Sequence, residues 1–239
     1  MRRLLLLPAV VVALVLVPGC ASQTRLSAED RSKLQHELTT GAPAERYLKH
    51  SSFITPFFGD DSKRLLTPYP PEEVDILNDT QGRPIRPGAV QATVPAGTRV
   101  HVVKVEFPTS WVMVERVLYS PRTQPWVYLD VEGVANKAPV ILVLPPKLDK
   151  VEDVRAELDR WLLEQDPAPR LARFPPRFQE AIKKKQVLEG MPEAAVELSW
   201  GPPERIRRSL DGAQVNQDWS YPGDKRHVFI TDGVVTRVP

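Results

Sequence analysis

The 239-residue chain has a single cysteine, Cys20, and this scarcity excludes most structural uses of the residue. One thiol can form neither an intrachain disulfide framework nor a metal site built from several cysteines. An excess of one charge is also missing: 32 Lys and Arg face 30 Asp and Glu, so nothing indicates bulk nucleic-acid binding. The longest nearly continuous apolar run, residues 4–17, is shorter than the roughly 20 residues of a membrane-spanning helix.

Motifs that carry catalysis or hold a cofactor are absent from the sequence as well. It contains no nucleophile elbow, no phosphate-binding glycine loop and no dinucleotide fingerprint. Its four histidines are far apart and show no metal-ligand spacing. We therefore predict a protein that is not an enzyme, with no catalytic residues, no cofactor and no metal site. The histidines are His36, His50, His101 and His227.

The N-terminus has the layout of a secretory signal. Arg2 and Arg3 precede the apolar run of residues 4–17, and Gly19 precedes Cys20. This ending resembles the bacterial lipobox, in which a small residue stands before a cysteine that becomes lipid-modified, although Val17 and Pro18 depart from the usual pattern. The alternative is an ordinary cleaved signal in which Cys20 is incidental.

The lipobox resemblance implies a specific modification and location. Residues 1–19 would be removed as a signal peptide, and Cys20 would carry a diacylglycerol and further acyl chains such as palmitate. More than one acyl chain gives stable membrane attachment. Ala21 and Ser22 follow the cysteine without an acidic residue, which favours the outer membrane over the inner one. We expect a lipid-anchored protein that faces the periplasm.

The remaining chain divides into four segments by composition. Residues 20–51 are expected to be a tether with a short helix, because Ser27 and Asp30 have capping-box spacing and Gly41 ends the pattern. A second helical stretch is expected over residues 43–50. Residues 52–145 are β-rich, residues 146–176 form a helical connector, and residues 177–239 form an α+β domain.

The β-rich segment contains short apolar and β-branched runs separated by proline and glycine, as in small antiparallel barrels or sandwiches. Its turn at residues 95–97 and its Pro-Trp-Val-Tyr-Leu run resemble an SH3-like barrel of envelope proteins. The fold class expected overall is α+β, with a small SH3-like barrel followed by two helices and an antiparallel meander. The strands are predicted at residues 90–94, 100–107, 111–114, 126–129 and 138–144.

The last segment has the most specific pattern. Gly190-Met191 precedes a predicted helix over residues 193–200, Trp200-Gly201-Pro202-Pro203 ends it, and Asp211-Gly212 and Asp232-Gly233 mark hairpin turns. In this order the elements resemble the SmpA/OmlA family, the BamE-like lipoproteins of the outer-membrane β-barrel assembly machinery. The family's assembly factors are short, and they have Thr or Ser where this chain has Pro192.

The family resemblance implies binding. Trp200, Trp219 and Tyr221 are candidates for partner binding, with core packing as the alternative. We expect attachment to the membrane through the lipid, an envelope protein as partner, and an accessory role in outer-membrane assembly or envelope maintenance. The alternative is a lipoprotein that binds peptidoglycan, or that binds a periplasmic enzyme as inhibitor or sensor. The sequence leaves the partner's identity and the oligomeric state open.

Overall fold

A computed structural model describes residues 24–135 and 138–239 of the chain. The predicted signal peptide and Cys20 lie outside these residues. The fold is mixed α+β, as predicted at that level. The helices are α1 (Ala28–Thr39), α2 (Ser110–Glu115), α3 (Val151–Trp161), α4 (Ala168–Leu171), α5 (Pro176–Lys183) and α6 (Glu193–Trp200). The strands are β1 (Glu45–Leu48), β2 (Ser52–Phe57), β3 (Asp60–Thr67), β4 (Ala92–Val94), β5 (Arg99–Glu106), β6 (Trp126–Val131), β7 (Val140–Val143), β8 (Leu162–Leu163), β9 (Arg205–Asp211), β10 (Gln214–Ser220), β11 (His227–Thr231) and β12 (Val234–Arg237).

The larger sheet has the strand order β4-β2-β3-β7-β6-β5-β1-β8. Its neighbours are antiparallel except β3 and β7, which run parallel with Arg64 opposite Val140. The predicted small barrel is wrong, since β4 and β8 lie at opposite edges and the sheet is open in the described residues. The prediction also missed β2 and β3 within residues 52–145, and it missed β1 and β8, which extend the sheet beyond that segment. Residues 60–64 of β3 are all polar, so this part of the strand lacks the alternation of apolar and polar residues that would predict it.

The described part of the segment expected to be a tether, residues 24–51, belongs to the folded body. The Ser27 side chain does cap α1, accepting a hydrogen bond from the Asp30 backbone N–H at 3.0 Å, as its spacing predicted. Leu34 and Leu38, however, are 1% and 2% exposed and pack in the main core. Two leucines one turn apart suffice to bury this face of an otherwise polar helix. The stretch predicted as helical at residues 43–50 is helical only at its start, where residues 42–44 form a short 3-10 turn, and residues 45–48 form β1, which pairs with β5 and β8.

The predicted strand at residues 111–114 is wrong, because these residues form α2. The Thr109 side chain accepts a hydrogen bond from the Val112 N–H at 3.4 Å and so caps the helix. Met113 is the buried anchor of this turn. A local cap and one buried side chain thus override the strand preference of the two valines.

The C-terminal residues form the predicted succession of helices and hairpins. The smaller sheet has the order β12-β11-β10-β9 and is antiparallel throughout. Side chains from α5 and α6 share one core with the inner side chains of this sheet. Gly201 ends α6 with φ of 85°, a conformation that favours glycine. Pro192 lies just before the helix in an extended conformation.

A set of buried contacts, here called the joint, connects the two sheets. The Ser51 N–H donates to the Leu198 carbonyl at 2.8 Å. The Lys185 ammonium donates to the carbonyls of Ser51 and Ser199 at 2.6 and 2.8 Å. At a second point of the joint, the guanidinium of Arg226 binds both carboxylate oxygens of Glu73, at 2.5 and 2.8 Å.

Candidate functional site

An apolar groove of about 560 Å³ runs between residues 76–80 and residues 110–124. One wall belongs to the chain that leads from β3 to β4. The other consists of α2 and the loop that follows it. The two walls come from distant parts of the sequence, so the groove depends on the tertiary fold. Its principal apolar lining residues are Ile76, Leu77, Met113, Val114, Leu118 and Tyr119.

The α2 wall carries a row of exposed apolar side chains, which we name the apolar ridge. Trp111 is 71% exposed, Val114 72% and Leu118 62%. Single exposed apolar residues are ordinary, but five of them within nine positions, next to an apolar groove, make this wall the candidate interaction surface. The apolar ridge consists of Trp111, Val114, Val117, Leu118 and Tyr119.

Arg116 holds the apolar ridge in place from beneath. Its guanidinium is 3% exposed and pairs with the Glu106 carboxylate at 2.9 Å. It also donates to the carbonyls of Arg122 and Gln124 at 2.9 and 2.7 Å, and it stacks 3.7 Å from the centre of the Trp126 ring. These contacts satisfy a buried charge and fix the loop after α2. The apolar ridge is therefore preorganised, which lowers the entropy cost of binding.

The charges beneath the apolar ridge are balanced. Burial would raise the pKa of Glu106, but hydrogen bonds and charges from Lys104 and Arg116 outweigh it and hold that pKa below its usual range. Burial lowers the pKa of Arg116. Such a pair remains ionised at neutral pH, so it serves as a structural support rather than as an acid or base.

The chain enters the described structure beside this wall. The backbone N–H of Thr24 donates to the carbonyl of Pro108 at 3.3 Å, three residues before Trp111. Leu26 is 5% exposed and belongs to the main core, so the chain is fixed within a few residues of its first described position. The apolar ridge consequently lies close to the point where the N-terminal segment leaves the fold.

The aromatic residues predicted as binding candidates lie elsewhere. Trp219 is 5% exposed and Tyr221 is fully buried, so neither offers a docking surface. Trp200 is half-buried, with its ring 5.3 Å from that of Tyr221. The Arg226 guanidinium lies 4.2 Å from the Trp200 ring. The structure thus brings Trp200 and Tyr221 together, but as part of the joint.

Two buried titratable side chains also belong to the joint. Burial lowers the pKa of His50 to about 4, even though both ring nitrogens lie within 3.0 Å of carbonyl oxygens, those of Glu197 and Arg160. Burial likewise lowers the pKa of Lys185 to about 7. Each of the two side chains contacts a main-chain carbonyl on the other side of the joint. We therefore assign both of them a structural role, in which they help to hold the two parts of the protein together.

Sequence reasoning missed the apolar ridge because it interpreted residues 111–114 as a strand, in which alternate side chains would be buried. The available signal was Thr109, a residue type favoured as an N-cap, shortly before the apolar residues of α2. The groove has no comparable signal, since its facing wall at residues 76–80 is far away in sequence.

Within residues 24–135 and 138–239, no group of three or more His, Cys, Asp and Glu side chains is placed to hold a metal ion. None of the helices described there has the length and apolar character that crossing a membrane requires. Comparisons with protein-family models, with curated proteins and with solved structures found no match for this chain.

Proposed function

We propose that this chain is a lipid-anchored, non-catalytic protein of the bacterial cell envelope, which binds an apolar segment of a partner protein in the groove. The proposed role is accessory, in outer-membrane assembly or envelope maintenance. The lipobox-like sequence at Cys20 supports the anchor. The order of α5, α6 and a four-stranded antiparallel meander supports the proposed BamE-like character of the C-terminal domain.

The observation that carries this proposal is the chemistry of the groove. Its two charged lining residues are already engaged by the protein: Asp79 accepts hydrogen bonds from Arg83 and Gln81, and Arg122 donates to the Met113 carbonyl at 2.7 Å. The walls are otherwise mainly apolar. An apolar peptide segment fits such a lining better than a peptidoglycan strand, whose hydroxyl groups need hydrogen-bonding partners.

Site-specific photo-crosslinking in the native envelope tests the proposal. A photoreactive phenylalanine analogue at Leu118, in the groove, is expected to crosslink a component of the outer-membrane assembly machinery. The same analogue at Leu210, which is 77% exposed on the smaller sheet, is the control and is expected to give no such product. Equal products from both positions, or murein as the only product from Leu118, would contradict the proposal.

A further inference from the structure

Three features stand close together at one corner of the molecule: the entry of the chain at Thr24, the exposed side chain of Trp111, and the rest of the apolar ridge. We propose that the part of the apolar ridge that does not line the groove, Trp111 and Val117, is a membrane-contacting surface, which inserts its side chains into the interfacial layer of the bilayer that holds the lipid anchor and leaves the groove open to the partner segment. This inference rests on the proposed attachment at Cys20 and adds an orientation to it.

Chain length places this surface within reach of the membrane. Thr24 is four residue steps after Cys20, and a chain covers at most about 3.5 Å per step, so the link spans no more than about 14 Å. Because Thr24 is bonded to Pro108, three residues before Trp111, Trp111 lies within about 30 Å of Cys20. A body held on so short a link keeps this corner at the bilayer surface.

The composition of the apolar ridge suits the interfacial layer. Tryptophan and tyrosine favour the headgroup level, where the ring is apolar and its N–H or O–H remains hydrated. Trp111 is the aromatic side chain of the apolar ridge outside the groove, and Val117 adds an exposed aliphatic side chain there. Residues 111–119 contain two charged side chains. Glu115 is exposed, whereas Arg116 is buried and pairs with Glu106.

The backbone at Tyr119 supports a specific display of these side chains. Its φ of 66° lies in the left-handed region, which a bulky residue seldom adopts. Nearby, the Ser120 hydroxyl donates to the Val117 carbonyl at 2.7 Å and tightens the turn. Surroundings that hold an exposed aromatic residue in an unfavourable conformation are typical of functional surfaces.

Tryptophan fluorescence in vesicles tests the inference directly. The mature lipidated protein is reconstituted into vesicles of phosphatidylethanolamine and phosphatidylglycerol with brominated acyl chains, which quench tryptophans in the bilayer. Quenching is expected for the native chain and is expected to be lost in Trp111→Phe. Trp126 and Trp219 are buried and contribute little signal of this kind. Leu210→Ala, an equally exposed apolar position on the smaller sheet, should leave the quenching unchanged.

A second arm separates this inference from the anchor itself. The chain from residue 21 retains every described residue, and an N-terminal polyhistidine tag holds it on vesicles that contain a nickel-chelating lipid. Quenching through Trp111 is expected here too. Labelling with an alkyne fatty acid reports independently on Cys20. If labelling failed while quenching persisted, the proposed lipid attachment at Cys20 would be wrong and the membrane-contacting surface would stand. Equal quenching of the native chain and Trp111→Phe, or no quenching in either arm, would overturn the membrane-contacting surface.

Discussion

At the scale of the single residue, Lys185 shows how a charged side chain can become part of a protein interior. It is the last of three consecutive lysines, and only this one is turned inward, with a φ of 55° and a side chain that is nearly inaccessible. Its ammonium group bridges the Ser51 and Ser199 carbonyls and lies 4.8 Å from the ring of Phe53. The lysine run suggests an exposed helix face, so the sequence does not distinguish Lys185 from Lys183 and Lys184.

The buried lysine predicts a pH-dependent stability. Burial lowers the pKa of Lys185 from 10.5 to about 7, so between these values the unfolded chain binds one more proton than the folded protein. The contribution of Lys185 to stability therefore rises with pH through this window, by at most about 1.4 kcal/mol per pH unit. When urea unfolding is measured at pH 7 and at pH 9, the free energy of unfolding should increase more from pH 7 to pH 9 in the native chain than in Lys185→Met.

The adjacent exposed lysine provides the control for that measurement. Lys184→Met should keep the pH dependence of the native chain, because Lys184 is exposed to solvent. If Lys185→Met showed the same dependence between pH 7 and pH 9 as the native chain, Lys185 would not be the titrating group.

At the scale of the element, the local sequence predicted those helices and hairpins whose signals lie within a few residues. The turn at Gly212, the turn at Gly233 and the end of α6 at Gly201 are of this kind, each with positive φ. The connector expected to be helical at residues 146–176 contains α3. Pairings between distant strands have no such local signal, so β1 and β8, with Tyr47 opposite Leu163, were not predicted. The groove, whose walls come from two distant segments, was unpredictable for the same reason.

Helix α1 provides a test of the boundary between tether and folded body. Leu38→Ala removes a side chain that is 2% exposed in the main core, and it is expected to lower the free energy of unfolding by about 2–5 kcal/mol. Lys33→Ala, at an exposed position of the same helix, should change it by less than about 0.5 kcal/mol. Chemical denaturation measures both. A Leu38→Ala variant as stable as Lys33→Ala would restore the interpretation of residues 20–51 as a tether.

At the scale of the whole molecule, the joint makes the two sheets depend on one another. Glu73, from the larger sheet's side, has a side chain 2% exposed and binds Arg226, which stacks on Trp200 of the C-terminal core. Tyr69 adds a hydrogen bond from its hydroxyl to the Pro202 carbonyl at 3.0 Å. Contacts of this kind couple the unfolding of the two parts.

We expect Glu73→Gln to destabilise the whole molecule by about 2–3 kcal/mol. This expected loss of stability is smaller than the loss from breaking a fully buried ion pair, because the Arg226 side chain is still 22% exposed. Glu72→Gln, at the exposed neighbouring position, keeps the backbone carbonyl that accepts from Lys225 and should be nearly neutral. In scanning calorimetry the native chain should unfold in one transition, and Glu73→Gln should lower its midpoint. Two separate native transitions, of which Glu73→Gln shifted one, would show that the joint does not couple the sheets.

The parallel pairing of β3 with β7 has a consequence for the order in which this protein can fold. Residue 64 pairs with residue 140, and β8, which pairs with β1, lies at residues 162–163, so the larger sheet is complete only when the chain has been made as far as residue 163. Contacts of such long range slow folding, since loops must close before the contacts form. During synthesis, β2 and β3 emerge long before β7 and expose apolar side chains such as Leu65, which packs in one cluster with Ile141 in the folded protein. Assembly of this protein thus begins with an interval in which its own strands need protection from aggregation.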